Sequence, residues 1–258
     1  MYEIDDTERQ GRQLVAEAEG ALLSSGSPSD RVQVLGHRGA PASGVSENSV
    51  AAVRQALHQG ADGVEIDVWL VGNGTLVCAH DLEGADVDSL ATLPELLAAA
   101  QRPARARVVI EAKPVADALL AQATADALAR DLRTSAGNAE ITISSFHAEL
   151  LATIRATCAD LPIRTALLGE KSDPAAAVVQ RAYRDGHDEV HLSVAAVRRF
   201  EAAVATARQL GLSVALWTVN DRHDLSWSAE LGVDAVITDE PLVARSQLDR
   251  TAEPVPAA

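Results

Sequence analysis

VLGHRGAPASGVSENSVAAVRQALHQGADGVEIDVWLVGNGTLVCAHD, residues Val34–Asp81, decides how the rest of the chain is read. Two short apolar runs, Val32–Leu35 and Val64–Leu70, flank an Ala/Val-rich helical pattern from Ser49 to Gln59. That order is strand–helix–strand, the opening unit of an α/β fold. Side chains alternate along a strand, so Val64, Ile66 and Val68 take one face and Glu65 and Asp67 the other. A strand buried on both faces is normally apolar on both. Two neighbouring carboxylates inside a fold repel each other and are costly to desolvate. They stay ionised only where a cation or a set of donors compensates them. This strand therefore asks for a metal.

The same pattern recurs in Val108–Lys113, where Val108, Ile110 and Ala112 share one face and Glu111 and Lys113 the other. Three acids on apolar strands make an all-oxygen site for a hard divalent cation, Mg²⁺ or Ca²⁺. Glu111 and Lys113 could equally pair with each other across the face. Two histidines bracket the acids: His37 at the end of the first strand, and His80 after the Gly72-Asn73-Gly74 turn and the short run Thr75–Ala79. Histidine is the usual proton carrier near neutral pH. With Arg38 beside one histidine and Lys113 beside one acid, the set suits a reaction at an anionic centre such as phosphate. Arg38 can grip a phosphate through two parallel hydrogen bonds. Each residue also has a plainer role. His37 could be a satisfied core histidine, and His80 with Asp81 a helix cap. Glu47-Asn48 could be no more than a helix start, since Asn is a good N-cap.

Outward from this unit the alternation continues. Strands are expected near 32–37, 62–69, 107–113, 140–145, 162–168, 188–193, 212–219 and 233–238. Helices are expected near 49–59, 92–101, 115–132, 147–158, 173–185, 195–210, 222–231 and 241–248. Eight strand–helix pairs predict a TIM (β/α)8 barrel over residues 32–248, a fold that typically takes about 250 residues. Active sites of such barrels lie at the C-terminal ends of the strands. His37, Glu65, Asp67, Glu111, Lys113, Ser145 and Trp217 all fall at or near those ends. An extra amphipathic helix is expected over Asp6–Leu23, followed by the linker Ser24–Asp30. It would pack on the barrel or, as the alternative, form a dimer contact. The tail from Asp249 is polar and Pro-containing and is expected to be disordered.

HRG at His37–Gly39, EN at Glu47-Asn48, EIDV at Glu65–Val68, HD at His80-Asp81, IEAK at Ile110–Lys113, SSF at Ser144–Phe146, WTVN at Trp217–Asn220 and TDEP at Thr238–Pro241 occur in the order seen in glycerophosphodiester phosphodiesterases. The chain resembles that family from about Val32 to Leu248. The resemblance implies cleavage of a phosphodiester, to glycerol 3-phosphate and an alcohol, by two histidines and a divalent metal. It casts His37 and His80 as catalytic and Glu65, Asp67 and Glu111 as metal ligands. It puts Arg38 and Lys113 on the phosphate and Trp217 in the pocket wall. Glu47, Asn48, Asp81, Ser145 and His191 are candidates for supporting positions; His191 is balanced between that and plain core. The chain departs from the family in four places. The loop Leu82–Leu90 is short where many relatives carry a subdomain over the site, which predicts a more open pocket and leaves the alcohol unspecified. Asn73 stands where an acid is usual, Glu240 where a basic residue is common, and His191 where a small polar residue is more usual. A lyase-like reaction releasing a cyclic phosphate, a biosynthetic phosphodiesterase with a different diester, and a non-catalytic, metal-dependent phospholipid head-group binder are the rival readings.

The 258 residues carry a net charge of −15. That argues against nucleic acid or an anionic membrane surface as the main partner and makes a local cationic centre more necessary for an anionic substrate; a small-molecule phosphodiester is the partner that the resemblance implies. Cys78 and Cys158 form no metal or redox spacing and read as buried small apolar residues. The acidic N-terminus lacks an apolar run and no segment is long enough to cross a membrane, so a cytoplasmic location is expected. Trp69 and Trp227 read as packing. His58, His147, His187 and His223 read as surface residues.

Overall fold

A computed structural model describes residues 31–101 and 105–252. The helix expected over Asp6–Leu23 and its linker lie outside the described residues. The described residues form nine strands and nine α-helices, alternating except where β3 follows β2 and α7 follows α6: β1 Gln33–His37, α1 Val50–His58, β2 Gly63–Leu70, β3 Leu76–Cys78, α2 Leu93–Ala99, β4 Arg107–Ala112, α3 Ala118–Ser135, β5 Glu140–Ser145, α4 Ala148–Thr157, β6 Ile163–Leu168, α5 Ala175–Arg184, β7 Glu189–Ser193, α6 Val194–Arg199, α7 Ala202–Gln209, β8 Ser213–Trp217, α8 Arg222–Leu231, β9 Ala235–Thr238 and α9 Pro241–Ala252.

All strands but β3 pair in parallel, in the order β1-β9-β8-β7-β6-β5-β4-β2. β1 also pairs in parallel with β2, through Leu35 opposite Gly63 and His37 opposite Glu65, and this closes the barrel. β3 is antiparallel to the far end of β2, with Val68 opposite Cys78 and Leu70 opposite Leu76. The hairpin carries the chain back to the barrel mouth, where it delivers His80. Its turn is held by Asn73, whose Oδ1 accepts from the Thr75 N–H at 2.9 Å; this is an Asx turn, a structural role for Asn73.

The two faces of each strand serve different layers. Val64, Ile66, Val68, Val108 and Ile110 pack outward against the helices in one continuous core that also holds Cys78 and Cys158. Leu35, Val109, Ala215, Ala235 and Ile237 form a separate apolar cluster, capped by Trp217, on the inward face. At the N-terminal strand ends the interior turns polar. Arg107, the first residue of β4, donates to Gln33 at 2.7 Å and forms a short ion pair with the fully buried Glu189, the first residue of β7.

The helices start where local chemistry supplies a cap. Ser49 accepts from the Ala52 N–H, Asp117 from Leu120 and Asp221 from His223. Asn48 is therefore not the cap of α1. Three expectations need correcting. The helix expected over 195–210 is two, because Phe200 leaves the helical region (φ −157°, ψ 79°). The expected disordered tail begins with helix, since α9 runs to Ala252. Residues 253–258 lie outside the described residues. His187 is not a surface residue: it is 6% exposed and its Nδ1 pairs with Thr165 Oγ1 at 3.0 Å.

Candidate active site

The HRG turn leaves β1 sharply. Arg38 and Gly39 both have positive φ (54° and 85°). A Cβ on Gly36 would lie 2.3 Å from the Gly39 carbonyl oxygen, and one on Gly39 would lie 2.6 Å from the backbone of Ala52. Glycine is needed at both places, for close approach and for the left-handed conformation. The turn is tied to the acids of β2, because the Arg38 N–H donates to Glu65 Oε2 at 3.1 Å.

His37, Arg38, Glu65, His80, Glu111, Lys113, His191 and Trp217 come together around a cavity of about 380 Å³ at the C-terminal strand ends. Ser144, Phe146, Leu168, Glu170, Lys171 and Ile237 complete its wall. Asp67 sits behind them, 1% exposed. Lys113 Nζ lies 2.6 Å from Asp67 Oδ1 and 2.7 Å from Glu111 Oε1. The cross-face pairing of Glu111 with Lys113 is thus present, and it extends to Asp67. Asn48 is buried and binds Asp67 twice: its Nδ2 donates to the carboxylate at 2.7 Å, and its Oδ1 accepts from the Asp67 N–H at 3.0 Å. Asn48 itself has positive φ (50°), a conformation Asn tolerates better than most residues. Glu47 accepts from Arg38 at 2.8 Å, and Arg38 Nε stands 3.4 Å from Asp67.

Glu65, Asp67 and Glu111 each place an oxygen within 4.8 Å of the others. Burial, and then the charge of Asp67, push Glu65 up to about 8. Burial likewise raises Glu111 against the opposing charge of Lys113. Burial would raise Asp67 too, but Lys113 and Asn48 outweigh it and hold Asp67 low. The acids exceed the fixed cations around them, and a hard divalent ion suits such an all-oxygen donor set.

The two histidines sit in unlike surroundings. Burial works against a charge on His37, but its Nδ1 lies 2.6 Å from Asp239 Oδ1, and that carboxylate together with Glu65 raises its pKa overall. Asp239 is in turn held by Asn220, whose Nδ2 donates at 2.6 Å and whose Oδ1 accepts the Asp239 N–H at 2.9 Å. His80 is exposed, and burial followed by the charges of Arg38 and Lys113 lowers its pKa. Trp69 is more than packing, since its Nε1 donates to the His80 carbonyl at 3.4 Å. Asp81 is 3.9 Å from His80 Nδ1 and accepts from the Glu83 N–H, which shapes the loop. Ser145 does not face the cavity. Its hydroxyl donates to the Ala112 carbonyl at 2.7 Å and accepts from the His147 N–H, bracing the ends of β4 and β5, while Ser144 lines the wall. Trp217 meets Phe146 edge-on, with centroids 5.9 Å apart.

Asp239 and Asn220 were not singled out by sequence reasoning, although both lie inside quoted strings, TDEP and WTVN. The only signal was their presence there, because the contact that gives Asp239 its role spans 202 residues.

Comparison with known proteins agrees with this architecture. A Mycobacterium tuberculosis protein named probable glycerophosphodiester phosphodiesterase 1 is 29% identical over 251 residues, covering 81% of this chain and 89% of its own. A crystal structure of a glycerophosphodiester phosphodiesterase from Parabacteroides distasonis superposes with a TM-score of 0.75 at 21% identity, covering 87% of this chain and all of that one. An Oleispira antarctica phosphodiesterase, solved in complex with the product sn-glycerol-3-phosphate, superposes with a TM-score of 0.71 at 24% identity, over 85% of this chain and 97% of that one. These two likenesses establish the shared barrel. The sequence model of the glycerophosphoryl diester phosphodiesterase family matches residues 37–94 and 82–243. With that match over most of the barrel, the chain belongs to the glycerophosphoryl diester phosphodiesterase family and is a phosphoric diester hydrolase.

Proposed function

We propose that this chain hydrolyses glycerophosphodiesters to glycerol 3-phosphate and an alcohol, with a divalent cation, Mg²⁺ or Ca²⁺, held by Glu65, Asp67 and Glu111. The observation that carries the reading is the meeting of Glu65 and Glu111 with His37, His80, Arg38 and Lys113 around one cavity, with the oxygens of Asp67 just behind them in the same acid cluster. When bound, the cation neutralises phosphate charge and polarises the phosphorus–oxygen bonds. Arg38 and Lys113 take up the remaining negative charge on the phosphate. His80, its pKa lowered by burial, Arg38 and Lys113, is suited to accept a proton from the attacking hydroxyl at neutral pH. His37, held toward its protonated form by Asp239, is suited to donate a proton to the departing alkoxide, a poor leaving group without one. Trp217 and Phe146 give the pocket an apolar flank for the alcohol.

Phosphorus NMR of the products from a panel of glycerophosphodiesters tests the reading. Glycerol 3-phosphate formed without a cyclic intermediate supports hydrolysis by water. A lasting cyclic phosphate signal would show that a substrate hydroxyl attacks instead. No turnover, with retained binding, would leave a head-group binder. His37→Ala and His80→Ala should each lose about 10²- to 10⁴-fold in kcat, and full activity in both would sink the scheme.

A further inference from the structure

The loop between β6 and α5, residues 169–174, puts two charged side chains into the wall of the catalytic cavity, Glu170 and Lys171. The chemistry above uses neither. Both are exposed and open to a ligand. Charged surface residues are ordinarily solvated and nothing more, but these two stand on a backbone tied down at several points. The Gly169 N–H donates to the His191 carbonyl at 3.0 Å, which anchors the loop to β7. The Glu170 N–H donates to Asp173 Oδ2 at 2.9 Å, and the Asp173 N–H donates back to the Glu170 carbonyl at 3.1 Å. From α6, Arg199 donates to the carbonyls of Lys171 at 2.6 Å and Asp173 at 3.2 Å. The backbone is thus held, while the Glu170 carboxylate and the Lys171 ammonium have no hydrogen-bond or ion-pair partner among the described residues. They do not pair with each other. A fixed loop that presents two opposite charges without cancelling them is organised in advance for a ligand.

Position decides which part of a ligand meets them. Counted either way round the barrel from β1, β6 is the fourth strand, so the loop faces the HRG turn across the mouth. Arg38, Lys113 and the acid cluster belong to β1, β2 and β4, on the other side. The loop therefore meets a group attached beyond the phosphate. A lone ammonium there is drawn to Glu170 and repelled by Lys171, and a lone carboxylate the reverse. Only a group with both charges satisfies both residues.

We propose that Glu170 and Lys171 form a subsite for the leaving alcohol that favours one carrying both an ammonium and a carboxylate, as serine does. Glu170 takes the ammonium and Lys171 the carboxylate. The inference rests on the hydrolase reading and adds to it a determinant of which alcohol is released.

The test compares kcat/KM on glycerophosphoserine, glycerophosphoethanolamine and glycerophosphoglycerol, whose alcohols carry both charges, an ammonium alone and no charge. The unmodified protein should favour glycerophosphoserine over each of the others by about 2- to 5-fold, the range of an exposed ion pair. Glu170→Gln should lower the rates on glycerophosphoserine and glycerophosphoethanolamine relative to glycerophosphoglycerol. Lys171→Met should lower the rate on glycerophosphoserine and raise it on glycerophosphoethanolamine, because the substitution removes an attraction from one and a repulsion from the other. These opposite signs are a result that general damage to the loop does not give. Equal changes on all three substrates in both variants, or no preference for glycerophosphoserine at the start, would overturn the inference and leave the hydrolase reading intact. No turnover of any of the three by the unmodified protein would overturn both.

Discussion

Residue by residue, the site works by setting groups of like chemistry in unlike surroundings. His37 has a carboxylate against its Nδ1 and His80 has two cations nearby, which suits the one to the acid's part and the other to the base's part in the proposed scheme. If His37 is the acid, His37→Ala should lose far less activity on a diester with a p-nitrophenolate leaving group than on glycerophosphocholine, while His80→Ala should lose comparably on both. Steady-state rates on the two substrates check this. Asp239 raises the pKa of His37, so Asp239→Asn lowers it. The acid must be protonated to act, so the alkaline limb of the kcat profile should move to lower pH. Glu65 gives a second pH dependence. Its pKa is raised from the ordinary value to about 8, so the folded, cation-free protein holds a proton that the unfolded chain has released. Stability in chelator should therefore fall as pH rises from the ordinary carboxylate range to about 8, by up to about 1.4 kcal/mol per unit. Added Mg²⁺ or Ca²⁺ should raise Tm more at pH 9 than at pH 6, and scanning calorimetry at the two values reads the difference. The acids on β2 and β4 were legible in the sequence because strand alternation exposes a carboxylate in an apolar run. Asp239 was not, because nothing local marks a residue as the partner of one 202 positions away. Ser144 and Ser145 were exchanged for the same kind of reason: both are small and polar, and only the strand's facing separates the one at the cavity from the one bracing the backbone.

The elements that matter most are the turns that present these side chains. The HRG turn requires a left-handed residue and close backbone packing at once, which ties Gly39 to the position of Arg38. Gly39→Ala should destabilise the fold by about 1–3 kcal/mol through strain and crowding against α1, and kcat should fall with Tm because the Arg38 N–H is displaced from Glu65. An unchanged Tm would show that the turn relaxes freely. The β2–β3 hairpin does the same for His80, with Asn73 closing its turn and Trp69 holding the histidine's carbonyl. Elements of this size were readable where periodicity is strong: the expected strand near 107–113 is β4, and the expected helix near 222–231 is α8. The break at Phe200 was not readable, since the residues on either side are good helix formers and the apolar rhythm runs through it. The helix through Ala252 was hidden by the polar, charged character of Asp249 and Arg250, which suits an exposed helical face as well as a disordered tail.

Across the whole molecule, a barrel of alternating strands and helices was the most legible feature, because eight repeats of one pattern leave little room for another architecture. Least legible was the interior's division into a polar floor, an apolar middle and a charged mouth, because adjacent layers come from residues of many different strands. Charge acts at this scale too. The net charge of −15 opposes an anionic substrate, and the field is screened by salt. Raising ionic strength from about 0.01 M to about 0.15 M shortens the screening length from about 30 Å to about 8 Å. KM for the anionic glycerophosphoglycerol should fall over that range, while KM for the zwitterionic glycerophosphocholine should change little. Among the described residues no helix is long and apolar enough to cross a membrane. In the proposed scheme the three carboxylates and two histidines form one hydrolytic centre that depends on a cation. The most direct test is the rate of glycerol 3-phosphate release from glycerophosphocholine during titration with Mg²⁺ or Ca²⁺ after chelation, in the unmodified protein and in Glu65→Gln. Saturable activation is expected, lost in chelator and weakened by the substitution. Full turnover in excess chelator, or activation unaffected by Glu65→Gln, would contradict it.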